Sequence, residues 1–73
     1  MTKFIVRDEL TEKEILIPTF EEVFIFIVRK LLEDSTRIFR VERQKLDGRG
    51  FVRKIAIQYY DYNDIYPIIA GGR

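Results

Sequence analysis

The sequence predicts an α+β domain in which one helix packs on a mainly antiparallel sheet, in the order ββαββ, with residues 65–70 able to add a short fifth strand. Three observations predict it. Two short β-branched runs lead the chain, a capped amphipathic segment follows them, and two longer strand-like runs then flank an Asp-Gly turn.

Residues 3–10 are rich in β-branched and aromatic side chains, and after Thr11-Glu12 the pattern resumes over 13–17, which reads as a two-stranded hairpin. Pro18 brings no N–H to a ladder and disfavours helix at the residue before it, so the second strand ends there. Thr19 followed by Glu22 matches a capping box, in which the hydroxyl accepts from the third helical N–H and the Glu side chain reaches back to the cap. The helix is expected from Phe20 to about Asp34. On a wheel, Phe20, Val23, Phe24, Ile27, Val28 and Leu31 share a broad apolar face, with Glu22, Arg29 and Glu33 opposite.

Residues 37–46 and 51–60 flank Asp47-Gly48-Arg49-Gly50, a strong hairpin signal. Setting Leu46 opposite Gly50 pairs Val41 with Ile55 and Phe39 with Ile57, collecting these apolar side chains on the buried face. The same register opposes Arg43 to Arg53 and Glu42 to Lys54. The Asp61-Tyr62-Asn63-Asp64 cluster reads as a turn, and any strand beyond it lies at an edge, because Pro67 is tolerated only at edges or ends. No repeat or linker divides the chain, so one globular domain over residues 1–73 is expected.

The composition is 47% hydrophobic and 34% charged with a net charge of +1, which fits neither a disordered tract nor a membrane protein. A chain this short buries only about 60% of the surface its unfolded form exposes. Its 11 Ile and six Phe must therefore make a dense core. Without Cys there is no disulfide, and without Cys or His the usual zinc spacings are missing. The longest uncharged apolar run, Val23 to Val28, is far short of the roughly 20 residues a spanning helix needs. The N-terminus lacks the apolar core of a secretory signal, so a cytoplasmic protein with no membrane span is expected.

Catalysis near neutral pH relies most on His and Cys, and this chain contains neither. Ser35, the one serine, has no histidine partner and reads as a helix stop. The oxygen-rich stretch from Asp61 to Asp64 lacks the central Gly and closing Glu of a calcium loop. Gly48-Arg49-Gly50 sits in a hairpin and lacks the Lys-Ser/Thr of a phosphate loop. No catalytic residue, cofactor site or metal site is expected, and the domain is read as non-enzymatic.

Two surfaces are candidates for binding. Phe26 projects among Glu22, Lys30 and Glu33, while Ile25 and Leu32 share a flank that one sheet does not obviously cover. A helix apolar nearly all round is buried nearly all round, so Ile25, Phe26, Lys30 and Leu32 are expected to meet a protein partner or a second copy in a homodimer. The alternative is a lone surface Phe, with residues 65–69 covering the flank. Tyr60, Tyr62 and Tyr66, beside Asp61 and Asp64, form a second expected protein contact at the strand end.

Charge supplies the competing reading. Residues 1–36 carry net −3, residues 37–54 net +5, and residues 55–73 net −1. The basic hairpin offers Arg37, Arg40, Arg43, Lys45, Arg49 and Arg53 to an anion or a nucleic-acid backbone. Against this, Arg stems can cover a sheet end with their heads in water, and only Phe51 and Tyr60 are placed to stack on bases.

Overall fold

A computed structural model of the protein describes residues 2–70. The chain order is β1 (Thr2–Asp8), β2 (Glu14–Ile17), α1 (Phe20–Glu33), β3 (Phe39–Leu46), β4 (Val52–Tyr60) and α2 (Tyr62–Ala70). The four strands form one antiparallel sheet in the order β2-β1-β3-β4. The α+β class, both hairpins and the long helix agree with the sequence reading, and α2 is an addition to it.

The β1–β2 turn is built around Asp8. Its Oδ1 accepts from the Leu10 and Thr11 N–H groups at 2.8 and 3.4 Å, and Glu12 adopts a positive φ of 61° to close the loop. Asp8 Oδ2 accepts from Arg37 Nη1 at 2.6 Å, tying this turn to the segment that leads into β3. Thr19 caps α1 as expected, its Oγ1 accepting from the Glu22 N–H at 3.3 Å. At the other end Asp34 gathers the Thr36 N–H, the Thr36 hydroxyl and Arg37 Nε, turning the chain back toward the sheet.

Val23, Ile27 and Leu31 recur every four residues, and α1 lays this stripe on one sheet face. There they join Phe4, Val6, Ile17, Phe39 and Val41, and Ile65 of α2 completes the core. Each such burial contributes about 1.5–3 kcal/mol, so this small set supplies most of the drive to fold. The overall shape is thin, at 44 × 30 × 15 Å, with a radius of gyration of 13.3 Å. A compact 73-residue domain has about 11 Å, so the molecule spreads a single sheet and a partial helical layer.

Three expectations change. Residues 62–70 form a helix, because Asp61 and Asp64 make a reciprocal cap: Asp61 Oδ1 accepts from the Asn63 N–H at 3.0 Å, and Asp64 Oδ2 accepts from the Asp61 N–H at 2.8 Å. Pro67 sits inside that helix, so the bond to the Asn63 carbonyl cannot form.

The β3–β4 register also differs. Asp47 Oδ1 accepts from the Arg49 and Phe51 N–H groups, and Gly50 takes φ +85°, giving a longer loop that sets Leu46 opposite Val52. A bulge at Ile55 adds one more residue, so Val41 faces Gln58 and Phe39 faces Tyr60. The odd shift beyond the bulge turns Ile57 outward, and Ile55 lies unpaired in the bulge itself; each is 47% exposed. Arg43 consequently lies opposite Ala56, Arg53 opposite Lys45, and Glu42 opposite Ile57.

Finally, Phe26 is half-buried on the core rim, because the sheet extends beneath that flank of α1. Its ring meets Phe39 edge-on at 6.0 Å and 78°, and Lys30 Nζ lies 5.7 Å from its centroid.

Candidate functional site

The sheet has two edges. β2 is four residues long, whereas β4 is nine, and among the described residues β3 is its only neighbour. Residues 52–59 are all exposed. Native edges are commonly blunted by bulges and lysines, and the first half of β4 carries both, at Ile55 and Lys54. The second half, Ala56-Ile57-Gln58-Tyr59-Tyr60, is regular, uncharged and free of Pro and Gly. A segment of that composition on an open edge is poised to pair with another strand.

The two faces of β4 differ. Toward the helices stand Ala56, Gln58 and Tyr60, beside an open groove of about 470 Å³ that also touches Phe4, Phe20 and Arg43. On the opposite face, which no helix covers, Ile57 and Tyr59 stand beside a buried polar group. Glu42 lies between Ile5 and Ile57 in register and is bound by Gln44, by Arg40 Nη2 at 3.4 Å and by Lys54 Nζ at 3.6 Å. The Gln44 hydrogen bond holds the Glu42 carboxyl below the usual carboxylate range, with attraction from Lys54 and Arg40 adding to it and burial opposing it. The sequence shows Arg40, Glu42 and Gln44 as an ordinary solvent-facing alternation, with nothing to mark their burial.

The tyrosines converge at the end of β4. Tyr60 and Tyr62 pack against the core, and the Tyr62 and Tyr66 rings are 5.7 Å apart. The Tyr60 hydroxyl donates to Gln58 Oε1 at 2.8 Å, and burial, with Asp64 nearby, pushes its pKa up. Tyr66 on α2 and Tyr59 on the uncovered sheet face are both exposed.

The predicted helical contact divides. Phe26 packs on the core rim and Lys30 lies over its ring while pairing with Glu33, whereas Ile25 and Leu32 are exposed. α2 covers the other flank, around Phe24 and Ile27, and leaves these two free.

The basic set divides as well. Arg37 is held by Asp8 and Asp34, and Arg40 by Glu42. Among the described residues, Arg43, Lys45, Arg49 and Arg53 have no carboxylate partner; Arg49 and Arg53 stand at the hairpin end beside Phe51, which is 66% exposed, Lys45 pairs with Arg53 in register, and Arg43 lines the helix-face groove.

Among the described residues no group of three or more His, Cys, Asp or Glu side chains converges in a way that would hold a metal ion. No helix is long and apolar enough to cross a membrane. The chain matches no protein-family model, no curated protein and no solved structure.

Proposed function

We propose that this chain is a small, non-enzymatic protein-interaction domain, acting as a subunit, inhibitor or accessory factor in the cytoplasm. Its working surface is the outer edge of β4 with the adjoining tyrosine end, Tyr59, Tyr60, Tyr62 and Tyr66. One observation carries the reading: a nine-residue edge strand whose second half is regular, uncharged and open. A partner strand added there gains main-chain hydrogen bonds, while Ile57 and Tyr59 supply side-chain contacts. Ile25 and Leu32 form a second, smaller apolar patch on α1.

Photo-crosslinking in the cells that make the protein tests this. A probe at Tyr59 is expected to yield discrete protein adducts, and one at Leu32 few or none. Adducts only at Leu32 would move the contact to the helix, and none at either position would contradict protein binding.

The second reading, nucleic-acid binding by the hairpin end, is favoured by Arg49 and Arg53 beside an exposed Phe51, with Lys45 and Arg43 further along β3, none of the four held by a carboxylate among the described residues. It predicts affinity for short nucleic acids that falls with salt at about one unit of log–log slope per phosphate contact. A flat salt response sinks it.

A further inference from the structure

We propose that β4 closes its open edge against β4 of a second copy of this chain, antiparallel, about a two-fold axis at Gln58; this rests on the protein-interaction reading and names its partner. The regular part of the strand, Ala56 to Tyr60, is centred on Gln58, so an axis there pairs all of it. A two-fold normal to the sheet keeps each side chain on its own face. Ile57 then meets the partner's Tyr59 on the uncovered face, and Ala56 meets the partner's Tyr60 on the helix face. Aromatic and β-branched pairs of this kind stabilise antiparallel ladders.

Charge complementarity selects a second copy over an unrelated strand. β4 is basic at its start, with Arg53 and Lys54, and runs into Asp61 and Asp64 at its end. Reversed against itself, it brings the basic end of one chain alongside the acidic end of the other. Moving the axis to Lys54 would instead oppose like charges, which fixes the register away from the hairpin tip. With a net charge of only +1, two copies repel each other little. The product is one continuous sheet built from two sets of four strands, its helices on one side and no long edge left open.

The test is light-scattering mass as a function of concentration. Wild type is expected at twice 8.8 kDa. Gln58 is exposed, so Gln58→Lys and Gln58→Glu should keep the circular dichroism of the fold while placing like charges face to face on the axis. Each alone is expected to raise the dissociation constant by about tenfold or more. An equimolar mixture should return to within about threefold of wild type, since opposite charges then meet. A dissociation constant indifferent to both variants, or a mixture no tighter than either alone, overturns the proposal. So does a wild-type mass of 8.8 kDa at every concentration. In that last case, Tyr59 photo-adducts with another protein would leave the interaction reading standing, and the absence of adducts at both Tyr59 and Leu32 would remove both.

Discussion

Arg37 separates a structural role from a binding role, and its replacement gives a number. Arg37→Ala leaves the Asp8 carboxylate, whose side chain is 10% exposed, without the guanidinium now 2.6 Å away. Stripping one partner from a fully buried pair costs about 3–5 kcal/mol. Arg37 itself is 28% exposed, so water recovers part of that loss, and the expected cost is about 2–3 kcal/mol. Asp8→Ala also frees the Leu10 and Thr11 N–H groups and should cost about 3–4 kcal/mol. The double variant should cost no more than Asp8→Ala, a coupling of about 2 kcal/mol. A domain this size has only about 4–11 kcal/mol in total, so urea unfolding resolves the effect easily. Coupling below about 0.5 kcal/mol, with Arg37→Ala as stable as wild type, would refute the structural assignment and return Arg37 to the anion-binding set.

Phe26→Asp should destabilise by about 2–3 kcal/mol, because it buries a charge against Phe39, whereas Leu32→Asp should stay within about 0.5 kcal/mol; urea midpoints compare them directly. Glu42 and Asp34, the latter chiefly through its Thr36 hydrogen bonds, both have lowered pKa values in the folded state. Their contribution to stability is therefore complete above the unfolded carboxylate range and is lost as pH falls through the folded values. Thermal midpoints should drop below about pH 4, and Glu42→Gln should flatten part of that fall. In an absorbance titration, the transition that Tyr60→Phe removes should lie above the ordinary tyrosine range. Loss of a transition at the ordinary value would contradict the buried setting of Tyr60.

Much of the fold is legible in the residues themselves. Pro18 and Thr19 mark the β2–α1 boundary, the spacing of Val23, Ile27 and Leu31 marks the buried stripe, and Asp47-Gly48 marks the second hairpin. The register was not legible, because it depends on how many loop residues the Asp47 carboxylate holds and on a bulge that no residue type announces. Ile55 and Ile57 therefore read as core when they form the open edge. The second helix was hidden by Pro67 and the Ile68-Ile69 pair, which suggest strand, although the Asp61–Asp64 cap was present in the sequence. The half-buried place of Phe26 is not legible from a helical wheel, which shows the angular neighbours of a side chain and not how far a sheet reaches beneath it. At the site, the tyrosine end and the four unpaired cations come from residues the sequence singles out. The open β4 edge emerges only once strand order is known.

That edge is the central claim, and amide hydrogen exchange along β4 tests it most directly. The amides of residues 56–60 that point away from β3 should exchange fast in dilute protein and slow markedly as concentration rises, while those of Val23, Ile27 and Leu31 stay protected throughout. Outward amides that exchange equally fast at low and high concentration would contradict the account.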